Sequence, residues 1–331
     1  MDLLEPSSAT WGEHIVRLLP MTSKTAGNPH QETAERQAVQ WASQRGLIKN
    51  EGVMRKLIAL RPGRLNGYGF PNAGEGTLIL LTKWLIYFFL TDDQFDDGDA
   101  GTDPDRAEKL LSPLRDCLDH PESCTARAPR VNALSDLLTS TRPRFTDPQW
   151  RQFTRHLRDY FDALVQEARN RRTSTTPTVE EYLRLRQNTG PILPLFDFVE
   201  ECECIRLPVS FYDTEEYRTI LVGSSDVSHW LNDVFSAPKE HAGGDVHNLV
   251  LIIRHVERCT FEEAVVKSTD HMRRRLAEMH TAVEKVHAMH ADGLFTNGER
   301  DAIANWYQAL LTCTRHAAWY LESGRYTKAS A

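Results

Sequence analysis

The chain of 331 residues is 40% hydrophobic and 26% charged, the composition of an ordinary globular protein rather than a disordered one. Its 39 Lys and Arg against 46 Asp and Glu leave a formal charge of −7, which disfavours nucleic acid or an anionic membrane as a general partner. The six cysteines are scattered (Cys117, Cys124, Cys202, Cys204, Cys259, Cys313) and none shows C-x-x-C spacing, so reduced thiols in a cytoplasmic protein are expected, without zinc or disulfides.

Residues 1–29, interrupted by Pro6, Pro20 and Pro29, read as a loosely structured segment with no secretory pattern of basic residues followed by an apolar run. From residue 30 the pattern is helical almost throughout. Residues 30–45 carry Ala34, Ala38, Trp41 and Ala42 at helical spacing, with Gly46 as the stop. Residues 51–60 form a second segment, ended by Arg61-Pro62-Gly63. Residues 72–89 read as the most buried stretch. The most apolar run, 78–90, contains Lys83 and is shorter than the roughly 20 residues a membrane span needs, so no span is expected. Asp103-Pro104 and Asp147-Pro148 each open a helix, the second running to residue 170. Helical patterns follow over 180–187, 193–202, 213–235 and 245–258. Thr260 and Glu263 have capping-box spacing and open a run toward His290, and a last helix is expected from Asn297 to Leu321. No strand of convincing alternation and no fixed-period repeat appears, and the Ser/Thr/Pro-rich stretches 123–129 and 171–177 are too short to be domain linkers. An all-α chain with one domain over 30–331 is expected.

Two clusters of residues point to chemistry. In Thr91-Asp92-Asp93-Gln94-Phe95-Asp96-Asp97, Asp92 and Asp96 stand one helical turn apart and share a face. Paired hard oxygen ligands suit Mg²⁺, which keeps several waters and bridges to phosphates. Acidic residues are unfavourable at a helix C-terminus, so this cluster at the end of an apolar helix calls for a counter-charge. In the second cluster Asn232, Ser236 and Glu240 recur every fourth residue, lining up amide, hydroxyl and carboxylate oxygens, with Lys239 beside them. Pro238 removes a backbone donor there and predicts a bend.

An aspartate-rich motif followed by an N-D-x-x-S-x-x-K-E motif resembles the bacterial class I terpene synthases, and the resemblance extends from residues 70–71 to Arg325-Tyr326. It implies a bundle of helices around a deep apolar cavity, with metals and diphosphate at the mouth. Asp92, Asp96, Asn232, Ser236 and Glu240 match the metal positions of the family, and three Mg²⁺ ions are implied with bound diphosphate. Arg186, 46 residues before Asn232, matches the diphosphate-sensing arginine. Lys239, Arg325 and Tyr326 match further diphosphate contacts, Gly190 the effector glycine, and Thr189 the linker residue before it. Phe88, Phe89 and Trp319 are expected to line the pocket, where a ring face stabilises a neighbouring carbocation.

The resemblance implies Mg²⁺-dependent cyclisation of a linear prenyl diphosphate, first of all farnesyl diphosphate, with release of diphosphate, in an enzyme whose relatives are often homodimers. Geranylgeranyl diphosphate is the alternative substrate. A chain-elongating prenyl synthase would carry a second aspartate-rich motif where Asn232-Asp233 stands. A non-catalytic helical scaffold of the same fold is the remaining alternative, against which the intact motifs argue.

Overall fold

The computed structural model describes residues 27–96, 99–124, 128–173, 176–245 and 247–323, and among these there are helices and no strand. In chain order they are α1 (Gln31–Gln44), α2 (Glu51–Leu60), α3 (Pro62–Gly69), α4 (Glu75–Asp96), α5 (Pro104–Asp119), α6 (Pro129–Thr141), α7 (Asp147–Thr173), α8 (Val179–Thr189), α9 (Ile192–Phe196), α10 (Val199–Cys202), α11 (Glu215–Ala242), α12 (Leu249–Glu257), α13 (Phe261–Ala291), α14 (Asn297–Cys313) and α15 (Ala317–Glu322). Among the described residues no helix is long and apolar enough to cross a membrane. The segment 1–26 and the pair Arg325-Tyr326 lie outside the described residues. Residues 27–175 with 188–204 form one compact unit, and 176–187 with 205–323 belong to a second.

The first unit is organised by α4. Leu78, Leu81, Trp84, Leu85, Ile86, Tyr87 and Phe88 are all buried, so this helix is covered on nearly every side rather than along one stripe. The alanines of α1 allow it to lie close to α4, and the Trp41 indole N–H donates to Asp136 on α6 at 2.6 Å. Gly63 marks another close approach. A Cβ there would stand 2.4 Å from the Gln31 carbonyl oxygen and 2.6 Å from Glu35 Cβ, so α3 can pack on α1 only without a side chain. The fully buried Asn28 donates to the carbonyls of Phe70 (3.0 Å) and Ala73 (2.8 Å), while its own backbone N–H reaches Gly67. Those bonds hold residues 70–74 out of helical geometry, which is why α4 begins at Glu75 rather than at residue 72. An aromatic chain then ties α4 to α7: Trp84 stacks on Phe88 (5.4 Å) and meets Phe153 edge-on (5.3 Å).

In the second unit α11 is the central helix, buried through most of its length from Tyr217 to Ala237 and packed along α13. The two helices approach closely at Gly223, where a Cβ would lie 2.6 Å from Met279 Cγ. Thr214 caps α11, and the expected Thr260–Glu263 capping box opens α13 with both reciprocal bonds formed. A second such box, Thr296–Glu299, opens α14.

Several boundaries differ from the sequence expectation. Arg61 does end α2, in a left-handed conformation (φ 50°), but Pro62 immediately opens α3 in the first-turn position that proline tolerates. The run 193–202 divides into α9 and α10. The helix expected over 213–235 continues through Pro238 to Ala242, and that expected to Leu321 breaks after Cys313 before α15. The helix expected from residue 245 starts at Leu249, capped by Asn248.

Candidate active site

In the first unit, α4 carries Asp92, Asp93 and Asp96 through its final turns. The counter-charge expected there is Arg130 of α6. Its guanidinium donates to Gln94 Oε1 at 2.6 Å and to the Leu90 carbonyl at 2.9 Å. Burial draws this arginine below its ordinary pKa, while Tyr87, Tyr160 and Asp92 pull it back up. Asp92, partly buried, accepts from the Tyr160 hydroxyl of α7. Burial, and then the Asp92 charge, push that phenol well above its usual range, so it stays a donor at all ordinary pH. Phe88 is fully enclosed, with the Tyr160 ring edge-on at 5.4 Å and Trp84 stacked on its other side. Phe89, the next residue, is only half-buried. Gly190 and Thr189 are both buried, at the turn that follows α8.

In the second unit, α11 presents Asn232, Ser236 and Glu240, and the structure brings Arg186 of α8 to the same strip. The Arg186 guanidinium donates to Asn232 Oδ1 at 3.1 Å and to Asp233 Oδ1 through Nε at 3.1 Å. Asp233, 1% exposed, also accepts from the Tyr182 hydroxyl (2.7 Å) and the Leu249 amide (3.1 Å). Ser236 is buried. Glu240 Oε2 accepts from Asn248 Nδ2 at 2.7 Å. Burial and the neighbouring Asp233 push Glu240 up to about 7, with the bonds from Asn248 and Ser236 opposing the rise. Lys239 is exposed at the same end of the helix. Trp319 of α15 is buried, with its ring against Tyr320 (4.9 Å), and Tyr320 in turn stacks on Phe235, the residue before Ser236.

The donor set along α11 fits a hard divalent cation. Glu240 is a half-buried carboxylate beside Asp233 and Asp245, held by the neutral donors Asn248 and Ser236, and its pKa is raised first by burial and then by the Asp233 charge. One carboxylate, one hydroxyl and one amide make a strip with a single formal charge. Among the described residues no group of three or more His, Cys, Asp or Glu side chains is gathered for a metal.

Four supporting residues were not apparent in the sequence. Arg130, Tyr160 and Tyr182 reach their partners only through tertiary packing. Asn248 left a trace, an Asn directly before the apolar run 249–253, which is a helix-start signal. Asp226 was also missed: it is buried on α11, bonded to Arg275 of α13 (2.9 Å) and Gln187 of α8 (3.3 Å), and burial raises it to about 7.

Residues 83–278 match the model of terpene synthase family 2, C-terminal metal binding. The chain is 30% identical to (−)-delta-cadinene synthase of Streptomyces clavuligerus over 90% of its length and 91% of that protein. It is also 30% identical to (+)-T-muurolol synthase ((2E,6E)-farnesyl diphosphate cyclizing) of Roseiflexus castenholzii, over 76% of each chain. Among solved structures, a variant of cucumene synthase superposes with a TM-score of 0.79 at 23% identity, covering 93% of this chain and all of that one, which shows the fold. A family match running through segments of both compact units, and relatives of this identity over most of the chain, place the protein among the bacterial class I terpene synthases, as a terpene-cyclising enzyme.

Proposed function

We propose that the enzyme cyclises farnesyl diphosphate to a sesquiterpene, with release of diphosphate, and that residues 30–331 act as one catalytic domain. The carrying observation is the strip Asn232–Ser236–Glu240, with Arg186 bonded to Asn232 and Asn248 to Glu240. The family match supports one domain because it spans 83–278 without interruption. The name of the Roseiflexus relative supports farnesyl diphosphate as the substrate.

In this reading Asp92, Asp96, Asn232, Ser236 and Glu240 would hold three Mg²⁺ ions, and these would supply positive charge to offset that of the departing diphosphate. Tyr160 fixes the Asp92 carboxylate by its hydroxyl, and Arg130 offsets the acidic charge at the end of α4. Arg186, Lys239, Arg325 and Tyr326 donate to the diphosphate oxygens, placing charge where the leaving group develops it. Gly190, without a side chain, lets backbone approach the substrate. Phe89 and Trp319 offer ring faces to the carbocation and help keep water from it, while Phe88, enclosed by Trp84 and Tyr160, supports the packing beside them. Proton loss or capture of one water ends the sequence.

The test is diphosphate release, with and without Mg²⁺, from geranyl, farnesyl and geranylgeranyl diphosphates, with gas chromatography of the hydrocarbons. Farnesyl diphosphate should turn over fastest, and only with metal. Asp92→Ala and Asn232→Ala should each lower turnover about 100-fold or more, near 2.7 kcal/mol, with helical circular dichroism retained. Full activity in both variants would remove the metal assignment. Preference for geranylgeranyl diphosphate would replace the substrate.

A further inference from the structure

The segment that follows α11 turns at Gly243-Gly244 and comes back to Asn248, the N-cap of α12. Asn248 is completely buried, and its two amide ends face different partners. Its Oδ1 accepts from the backbone N–H groups of Val250 (2.9 Å) and Leu251 (3.4 Å). Its Nδ2 donates to the Asp233 carbonyl (2.7 Å) and to Glu240 Oε2 (2.7 Å), and lies 3.3 Å from Ser236 Oγ. The orientation of the amide is settled by this network, because only an oxygen can face two helix N–H donors. Next to it, the Leu249 N–H is bonded to Asp233 Oδ2. The start of α12 is therefore fastened to the α11 strip by both side chain and backbone.

We propose that Asn248 is a positioning residue for the metal site: it fixes the Glu240 carboxylate and the Ser236 hydroxyl in the arrangement that receives a divalent cation. The inference rests on the assignment of Ser236 and Glu240 as ligands. A glutamate has three rotatable side-chain bonds, so a ligating carboxylate must be held by something that is itself held. Asn248 meets that requirement, since the two helix amides on Oδ1 fix the plane of its amide while Nδ2 grips Glu240. Holding one oxygen through a neutral donor leaves the charge of Glu240 intact for a cation, where a lysine or arginine in the same place would compete with it. Residues that orient ligands in this way are worth about 10–100-fold in metal affinity.

Capping and positioning can be separated, because serine caps a helix about as well as asparagine but carries no amide N–H to reach Glu240. The probe is Mn²⁺, titrated by electron paramagnetic resonance into the full chain in the presence of inorganic diphosphate, alongside the dependence of turnover on Mg²⁺. Asn248→Ser should keep a cooperative melt near that of the wild type while Mn²⁺ affinity falls about 10-fold or more, with the Mg²⁺ requirement rising more than kcat falls. Asn248→Asp, which keeps the cap acceptor and lacks the donor, should lose affinity likewise and carries the test if the serine variant does not fold. Glu240→Gln on the same titration separates the two ideas. If Glu240→Gln binds Mn²⁺ as the wild type does, the ligand assignment fails and the inference with it. If Glu240→Gln loses binding while both Asn248 variants keep wild-type affinity, Asn248 is a helix cap only and the inference alone is overturned.

Discussion

Replacing Arg130 by methionine tests how the acidic end of α4 is held. The substitution keeps an apolar stem but removes two charge-assisted bonds, to the Leu90 carbonyl at 2.9 Å and Gln94 Oε1 at 2.6 Å. Bonds of this type contribute about 1.5–3 kcal/mol each. The loss should sit near the low end, because the Leu90 carbonyl lies within the helix and Gln94 is partly exposed to water. Acidic residues left uncompensated at a helix C-terminus add about 0.3–1 kcal/mol. A total of about 3.5 kcal/mol follows. In urea the midpoint should fall with an unchanged slope, and hydrogen exchange should quicken over residues 88–96 more than elsewhere in the first unit. Arg130→Lys keeps the charge without the forked geometry and should recover only the smaller, dipole-related part. An unchanged midpoint, or exchange that quickens evenly across residues 27–175, would refute Arg130 as the local counter-charge of the acidic motif.

Gly63→Ala should destabilise the chain by about 1–3 kcal/mol, because the new methyl meets the backbone of α1 rather than a movable side-chain tip; a denaturation midpoint equal to wild type would contradict this. Burial raises Asp226 from 3.8 to about 7, so its contribution to stability is fully present below pH 4 and is lost as pH rises through 7. The urea midpoint should accordingly fall between pH 4 and 7 and level off above, and Asp226→Asn should flatten that dependence; equal slopes in the two proteins would rule Asp226 out as its source. Phe89→Leu and Trp319→Leu should preserve diphosphate release while broadening the hydrocarbon profile, since losing a ring quadrupole of about 0.5–2 kcal/mol suffices to redistribute competing routes. An unchanged single product from both would place these rings outside the pocket lining. Phe88→Leu differs in kind: Phe88 is packed between Trp84 and Tyr160, so thermal melting should register its loss before the product profile does.

The helical class, the capping box at Thr260 and the oxygen stripe of α11 were legible because each is written in local spacing. Spacing along one helix is fixed by the helix itself, so Asn232, Ser236 and Glu240 could be aligned before any packing was known. The counter-charge at the end of α4 could be required from the sequence but not identified, because Arg130 lies 36 residues beyond Gln94 and arrives through the packing of α6. The start of α4 differs from the expected residue 72 for a similar reason: a distant asparagine, Asn28, takes the carbonyls of Phe70 and Ala73 for itself. The division of 193–202 into α9 and α10 lies where Asp197, at the end of α9, reaches His156 of α7 at 2.8 Å, a partner that no window around residue 197 contains. Adjacent rings were equally ambiguous. Periodicity places Phe88 and Phe89 about 100° apart but does not say which of them the Tyr160 ring will cover.

The carboxylate of Asp233 bears on how easily one kind of prenyl-processing site could become another. Its Oδ1 is taken by the Arg186 guanidinium, and its Oδ2 by the Tyr182 hydroxyl and the Leu249 amide. Converting Asn232 to aspartate would produce an Asp-Asp pair in the sequence, the beginning of a second aspartate-rich motif, yet both carboxylates would stand against the Arg186 guanidinium, which already bonds Asn232 Oδ1 at 3.1 Å and Asp233 Oδ1 at 3.1 Å. Asp233 would still be bracing α8 and the first turn of α12 against α11. Freeing it would require Tyr182 and Arg186 to change as well, and each of those changes alone would leave a buried group without its partner. The neighbouring Asn and Asp thus have unequal capacity to mutate: one is a surface for chemistry, the other a joint in the frame. Along this helix, drift toward a chain-elongating type of site is blocked by architecture rather than by the single codon that separates asparagine from aspartate.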